Sequence, residues 1–340
     1  MMAGNPKYAT FSIGVLLLLS VVFANAAHER RVDGLLVLGG EGRTVLAWSV
    51  NGSLSRSTDA GNHWTQLTGV AGEKLSDVTL ERNRRSVLFA ESGDLVYTST
   101  DQGTTWHNLL PSNADMQKPL PSVDVHDPTF LYATLSDKIV YSTNGGDRWE
   151  VLAPNIPRAD IYRMWIDPRN VQTLYAGALL NGIYRSTDGG ATWDRISGIP
   201  FSGVYGLYFD PANPATMYLE TVAVYIESSE GDLYKSVDGG QNWTVIHFAI
   251  DFFAITPGES SLLFVGAWTQ RSHRDYFILF KSTDGGGEWT LANSGLPTNK
   301  RIRALVSSPT DHSNLYAASE GGAVFKSIDL GTSWRSTGLR

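Results

Sequence analysis

The sequence predicts an all-β protein, a seven-bladed β-propeller of four-stranded antiparallel blades. Three observations predict this fold. An octapeptide of the form Ser-x-Asp-x-Gly-x-x-Trp, called the box below, occurs seven times, with Asn replacing Asp once. Successive box tryptophans are 42, 43, 44, 50, 46 and 45 residues apart, which is typical of one structural unit copied along the chain. Each period carries four strand signals and no helical periodicity, as expected for a propeller blade.

The four strand signals follow the same order in every period. The first is a short apolar or alternating run that often ends in Asp-Pro, as in residues 164–168 and 207–211. The second is a strongly apolar run, as in residues 173–176 and 314–317. The third strand leads into the box and the fourth leaves from its Trp. Each blade is therefore predicted to contain one box between its third and fourth strands.

The box itself is interpreted as a structural hairpin turn. Its Asp can accept hydrogen bonds from backbone N–H groups of the turn, its Gly supplies a positive φ, and its Trp can cover the hairpin. The alternative is that the acidic residues are ligands or catalytic acids. It is disfavoured because an acidic residue that recurs on every blade stabilises the turn in which it lies. The predicted structural residues are Asp59, Asp101, Asn144, Asp188, Asp238, Asp284, Asp329, Trp64, Trp106, Trp149, Trp193, Trp243, Trp289 and Trp334.

Residues 1–26 are predicted to be a secretory signal peptide. Lys7 precedes an apolar run over residues 11–23, and residues 24–26 read Ala-Asn-Ala, a small-x-small cleavage site. The apolar run is shorter than the ~20 residues that span a bilayer as a helix. We therefore expect an exported protein, periplasmic or extracellular after cleavage near Ala26, with residues 27–340 forming one propeller. The first and last blades each contain four strand signals, so closure by strand exchange is not required.

The amino-acid composition argues against several classes of function. The chain carries 27 Lys and Arg against 34 Asp and Glu, a net charge of −7, and it contains no Cys. An acidic surface argues against nucleic-acid binding, and the lack of Cys excludes disulfides, redox thiols and Cys-ligated zinc. The seven His residues show none of the usual metal-ligand spacings. We expect no metal, no cofactor and no nucleic-acid partner.

The box resembles the BNR/Asp-box repeat, and we call it the Asp box from here on. One Asp box on each of seven blades resembles the photosystem II assembly and stability factor family, over the whole of residues 27–340. That resemblance implies a non-catalytic scaffold that docks a partner protein. Similar repeats occur in sialidases, in two-propeller xyloglucanases and in the sortilin luminal domain, so a glycan-active propeller is the alternative.

The predicted binding surface lies on the face opposite the Asp boxes. Two neighbouring blades carry long insertions there, at residues 221–230 and 268–276, and Arg residues interleave with aromatic ones nearby. Arg, Tyr and Trp are enriched at the energetic centres of protein interfaces. The alternative is neutral surface variation, with the cations paired to local carboxylates. The predicted partner-binding residues are Arg158, Tyr162, Arg163, Trp165, Trp268, Arg271, Arg274, Lys300, Arg301 and Arg303.

A second set of basic residues directly precedes the Asp-box Ser in several blades. Its members are Arg56, Arg185, Lys235, Lys281 and Lys326. They occupy one equivalent position on different blades, so we expect a ring of solvated cations whose apolar stems lie on the blade.

An enzyme is the less favoured prediction. A sialidase-like site would need Arg163, Arg271 and Arg303 to converge with Tyr162 and Glu220, and the Arg-Ile-Pro motif is missing near the first blade. Glycoside hydrolysis needs two carboxylates about 5–10 Å apart, and no such pair stands out from the repeat. We therefore predict a non-catalytic propeller that binds an acidic or carboxylate-bearing partner protein; a glycoside hydrolase or lectin remains the alternative.

Overall fold

The computed structural model describes residues 32–38, 42–49, 52–68, 75, 77–80, 87–92, 95–109, 119–120, 125–127, 130–135, 138–145, 147–152, 161–178, 181–199, 203–222, 231–250, 252–256, 262–271 and 274–339. The predicted signal peptide and the position of Arg158 lie outside these residues. No helix in the described part of the chain is long and apolar enough to cross a membrane.

All regular elements of the described chain are β-strands. They are β1 (Gly34–Val37), β2 (Val45–Trp48), β3 (Leu54–Ser57), β4 (Thr65–Leu67), β5 (Asp77–Leu80), β6 (Leu88–Ser92), β7 (Leu95–Ser99), β8 (His107–Asn108), β9 (Pro119–Leu120), β10 (Val125–Asp127), β11 (Phe130–Leu135), β12 (Lys138–Ser142), β13 (Glu150–Leu152), β14 (Ile161–Ile166), β15 (Leu174–Ala178), β16 (Gly182–Ser186), β17 (Asp194–Arg195), β18 (Gly203–Phe209), β19 (Met217–Val222), β20 (Gly231–Ser236), β21 (Thr244–Ile250), β22 (Phe252–Ile255), β23 (Leu263–Arg271), β24 (Arg274–Ser282), β25 (Thr290–Leu291), β26 (Ile302–Ser307), β27 (Leu315–Ser319), β28 (Val324–Ser327) and β29 (Arg335–Ser336).

These strands form seven antiparallel sheets, which confirms the seven-bladed propeller. Within each sheet the strands pair in chain order, so each blade is a simple meander. Blade three departs slightly from the pattern because β9 and β10 both pair with β11, so its first strand is divided into two short pieces. First strands of neighbouring blades contact one another, β1 with both β5 and β26 and β26 with β22, which places them next to the axis.

The hydrophobic core lies between the blades. Each of seven buried clusters combines residues from two neighbouring blades, as where Phe264 and Leu279 of blade six meet Leu305 and Trp334 of blade seven. The cluster that joins blade seven to blade one includes Tyr316 and Val45. The ring is thus closed by packing between complete blades, without exchange of a strand.

Each Asp box locks its own turn with hydrogen bonds. In blade four, Ser186 Oγ donates to Asp188 Oδ1 (2.8 Å) and accepts from Gly190 N (2.8 Å). Thr192 N donates to Asp188 Oδ1 (2.9 Å), and the Thr192 hydroxyl donates to Oδ2. Trp193 Nε1 donates to the Gly190 carbonyl (2.9 Å). One carboxylate therefore ties three positions of the turn together.

The same carboxylate role recurs in the other boxes. An Oδ1 atom accepts the backbone N–H four residues later at Asp59, Asp101, Asn144, Asp238, Asp284 and Asp329. Hydrogen bonds from that fourth residue lower the pKa to about 2 at Asp101, Asp188, Asp238 and Asp329, because they stabilise the charged form. Asn144 makes the equivalent neutral contact at 2.9 Å.

The Asp box also forms the boundary with the preceding blade. Every box Trp packs against the cluster shared with that blade; Trp106 lies beside Leu54 of blade one, for example. The box Gly approaches the same neighbour. At Gly331, where φ is +75°, a Cβ atom would lie 2.6 Å from Phe264 of blade six, so no side chain fits there.

Four of the basic residues that precede the box Ser bridge to the next blade. Their head groups donate to the carbonyl that precedes the next box Gly: Arg56 to Gln102 (3.3 Å), Lys235 to Gly285 (2.7 Å), Lys281 to Leu330 (3.2 Å) and Lys326 to Ala60 (3.4 Å). The expectation of solvated cations was wrong for these four, which we call the bridging cations. Lys326 connects the last blade to the first, so these bonds cross the closure as well.

The residue before each box Gly is left-handed in every blade. Four blades place Gly there, whereas Ala60, Gln102 and Leu330 have φ of 61°, 60° and 56°. These three are the non-glycine residues of positive φ among the described residues. A left-handed conformation costs a residue with a Cβ about 1–2 kcal/mol.

Acid should weaken the fold through the boxes. A carboxyl whose pKa is about 2 when folded and about 3.9 when unfolded stabilises the fold fully above about pH 4 and loses that effect as the pH falls towards 2. We expect the urea midpoint to fall over this window. Asp188→Asn should make the fall shallower, since the amide does not titrate and Asn144 already serves this role. The control is Asp194→Asn, because the Asp194 carboxylate accepts no hydrogen bond within the described chain. This variant should leave the pH profile of the urea midpoint unchanged. An equal effect of the two substitutions would contradict this account.

Leu330→Gly should stabilise the protein by about 0.5–1 kcal/mol. Relief of the left-handed strain outweighs the greater entropy that Gly brings to the unfolded chain. Ile328→Gly is the matched control, because Ile328 is an exposed apolar residue of the same box without positive φ. It should destabilise. Denaturant unfolding of both variants checks the pair, and a loss of stability in Leu330→Gly would show that the left-handed residue is not strained.

Candidate functional site

The Asp boxes and the turns between first and second strands share one face of the ring. In blades four and five, Gly189 N donates to Gln172 O and Gly239 N donates to Ala215 O, both at 2.9 Å, which joins the two kinds of turn. The opposite face carries the turns between second and third strands and the connections between blades. We call it the link face. Of the predicted partner-binding residues that the structure describes, Trp165 lies near the opposite end of its strand, next to the turn between β14 and β15.

The insertion of blade six is a β-hairpin extension. β23 and β24 are nine residues long and stay in register from Leu263 opposite Ser282 to Arg271 opposite Arg274. Sequence reasoning treated this segment as a long insertion, and the structure shows that it extends two strands of the blade. Trp268, Arg271 and Arg274 are therefore held on a two-stranded arm; their side chains lie outside the described structure. The blade-five insertion lies outside it too, except for Thr221 and Val222, which end β19.

Three cations meet at the blade-seven turn on the link face. Arg301 O accepts a hydrogen bond from Glu320 N (2.8 Å), and Arg303 Nη2 lies 2.9 Å from Glu320 Oε1. Lys300 Nζ lies beside Gly321 of the same turn. Burial raises the pKa of Glu320, but the hydrogen bond and charge of Arg303 outweigh it and the net shift is downward. Arg303 thus pairs with the Glu320 carboxylate, and Lys300 and Arg301 belong to the same turn.

A further cation, Arg163, lies at the junction of blades four and five. The Arg163 guanidinium is stacked over the Tyr205 ring, 5.4 Å from its centroid, and Tyr205 is 54% exposed. Trp165 lies on the same sheet face, further along β14, where it packs against the buried cluster between these blades and lies close to Gly177. The side chain of Tyr162 is outside the described structure. Arg163 and Tyr205 form the exposed pair, whereas Trp165 is partly buried in the core.

A buried phenol–carboxylate pair lies close to Arg163. Tyr208 Oη donates to Glu220 Oε2 at 2.9 Å, and Glu220 is only 6% exposed. Burial and then the Glu220 charge hold the pKa of Tyr208 well above its ordinary value, while Arg163 acts in the opposite direction. Sequence reasoning named Glu220 but missed Tyr208, whose only sequence signal is its place in an alternating first strand.

The predicted partner-binding residues that the structure describes belong to blades four, six and seven. Blades six and seven are neighbours, so the hairpin arm and the cations of blade seven lie side by side. Arg163 belongs to blade four, which is three blades away. Because β14 and β26 are first strands, Arg163 and Arg303 both lie on the inner strands of their blades, on different sides of the axis. Within the described residues there is no cluster of three or more His, Asp or Glu able to hold a metal ion.

Comparisons with known proteins agree with this fold. The family model "Sortilin, neurotensin receptor 3" matches residues 52–164, and the BNR/Asp-box repeat model matches residues 184–195. A comparison with curated proteins gives no significant sequence match.

Solved structures of two kinds are similar. The Niastella koreensis GH74 enzyme superposes with a TM-score of 0.72 at 19% identity, over 90% of this chain and 53% of that one. The Xanthomonas campestris GH74 xyloglucanase gives 0.70 at 18%, over 91% and 54%. YCF48 bound to a D1 peptide gives 0.64 at 12%, over 88% and 94%. This chain spans about half the length of the GH74 enzymes. At such identities the similarity shows the fold, so the chain is an all-β, seven-bladed propeller with BNR/Asp-box repeats that resembles both groups.

Proposed function

We propose that this protein is an exported, non-catalytic propeller that binds an acidic or carboxylate-bearing segment of a partner protein on its link face. The observation that carries the proposal is the group of Lys300, Arg301 and Arg303 around the blade-seven turn, with the blade-six hairpin arm next to it. Three cations lie close together there, on a chain whose net charge is −7.

The physical basis is a local positive field on a rigid support. Lys300 and Arg301 directly precede an inner strand, so their backbone is held by the ring, and both residues are half-buried. Arg301 and Lys300 can each donate to a carboxylate, and a local field of this kind raises the encounter rate with an acidic partner. The stacked Arg163 and Tyr205 offer a second contact of the type enriched at protein interfaces.

The comparison with YCF48 supports this choice. That propeller matches this chain over nearly the whole length of both and was solved with a bound D1 peptide. Export rests on the predicted signal peptide of residues 1–26.

A glycan-active propeller is the second candidate. It is favoured by the similarity to the GH74 enzymes and by the Tyr208–Glu220 pair beside Arg163. A buried carboxylate that holds a phenol next to a guanidinium is an arrangement capable of acid–base chemistry. Incubation with xyloglucan and other polysaccharides, with Glu220→Gln as the matched variant, tests this candidate. Turnover that Glu220→Gln abolishes would replace the binding proposal.

Charge reversal of Lys300 and Arg301 should weaken partner capture. Immobilised protein, cross-linked to the proteins of its exporting compartment, identifies a partner by mass spectrometry. Lys300→Glu with Arg301→Glu should then weaken binding of that purified partner at least about tenfold and reduce its salt dependence, because rim charges act on encounter. Arg303 is left intact, since its ion pair with Glu320 supports the turn.

The control has the same change in net charge elsewhere. Arg148→Glu with Arg335→Glu alters two exposed residues away from the link-face turn of blade seven. It should bind the partner like the wild type, and both double variants should keep their unfolding midpoints within about 0.5 kcal/mol. Equal losses of binding in the two variants would mean that only total charge matters and would refute a localised surface.

A further inference from the structure

Among the five basic residues that directly precede a box Ser, Arg185 is the one that does not act as a bridging cation within the described residues. Arg185 of blade four occupies the position of Lys235, Lys281 and Lys326, and its expected acceptor is the Gly239 carbonyl of the next box. That carbonyl instead accepts the Tyr175 hydroxyl at 3.2 Å, across the same boundary. The bridge between blades four and five is therefore made by a tyrosine, and the cation is not needed for it.

Within the described residues, the Arg185 guanidinium is partnered by the Tyr175 side chain and not by a backbone carbonyl of the next box. It lies over the Tyr175 ring, 6.0 Å from the centroid, and its Nε atom is buried without an acceptor. A buried, unsatisfied donor of a charged group is costly, and native structures normally provide it with a partner. An external acceptor that approaches this guanidinium would satisfy that need.

A concavity of about 300 Å³ opens at the same place. It is lined by Arg185, Thr187, Asp194, Arg195, Gly240 and Gln241, among others, so it lies between the boxes of blades four and five. Arg195 is held in its wall by bonds from Nε to Asn181 O (2.9 Å) and from Nη2 to Ile199 O (3.1 Å). Asp194 is the cross-strand neighbour of Arg185 but forms no ion pair with it. The lining thus contains two arginines and one exposed carboxylate, and Arg185 is the arginine on the same sheet face as that carboxylate.

We propose that this concavity is a binding site for a carboxylate group, with Arg185 as its principal donor. The planar guanidinium suits a carboxylate because two parallel N–H···O bonds can form, and the Thr187 hydroxyl adds a further donor. The site is on the face opposite the proposed partner surface, so it stands or falls independently of that function. An acidic side chain of a peptide and a sugar acid share this chemistry.

The test uses the wild-type protein and the N–H signal of arginine Nε in a ¹⁵N NMR spectrum. Arg185→Lys assigns the Arg185 signal by its disappearance, and Arg335→Lys assigns a matched exposed arginine of blade seven. N-acetylaspartamide is the probe, with N-acetylasparaginamide as its neutral isostere and sodium chloride at matched ionic strength. Glucuronate, titrated in the same way, represents the sugar-acid source.

A saturable shift of the Arg185 signal with N-acetylaspartamide or glucuronate, and not with the neutral isostere or chloride, is the expected result. The acid that saturates the shift at the lower concentration shows whether the site prefers an acidic peptide side chain or a sugar acid. The Arg335 signal should not follow. No saturable shift with either acid, or a shift that chloride reproduces or that Arg335 shares, would overturn the proposal.

Discussion

The structure depends on closing seven blades into a ring without a covalent clasp, and the Asp box is where neighbouring blades meet. Its carboxylate secures the turn locally, but its Trp and its Gly face the preceding blade. In blades one, two, six and seven a cation from the preceding blade also donates to the backbone of the box. A box that lost its shape would lose both its hairpin and this boundary. That double role explains why the motif keeps one geometry through blades whose other residues differ.

The period and the box were enough to predict the architecture, because the repeat length sets the number of blades and each Asp box marks a third-to-fourth-strand turn. The partners across the blade boundary could not be predicted. Sequence spacing relates residues within a blade, so Lys235 was interpreted as a solvated position of the repeat. The distance from its head group to Gly285 depends instead on how two blades are rotated against each other. The hydrogen bond from the Tyr175 hydroxyl to the Gly239 carbonyl could not be predicted for the same reason.

The candidate site shows a related limit. Sequence reasoning grouped its cations by face and charge, yet Arg163 and Arg301 lie three blades apart, and Trp165 packs into the core. The Glu320 partner of Arg303 was missed because a hairpin turn gives no signal of which strand end lies beside it. Alternation did predict strands, and the blade-six segment continues it as a hairpin arm. The repeat therefore predicts the blade and the face of the propeller on which a residue lies. It does not predict which side chains pair, or how deeply they are buried, at the edge of that face.

The most direct test of the inter-blade role is the free energy of unfolding of Lys235→Met. Lys235 Nζ lies 2.7 Å from the Gly285 carbonyl and 5.7 Å from the Tyr218 ring centroid, so its removal deletes one contact between blades five and six while keeping the apolar stem. The account predicts a loss of about 1–2 kcal/mol, as for a partly buried hydrogen bond from a charged donor. Arg335→Met, at an exposed cation with no such bond in the described chain, should change stability by less than about 0.5 kcal/mol. Equal values for the two variants would contradict the claim that these cations join the blades.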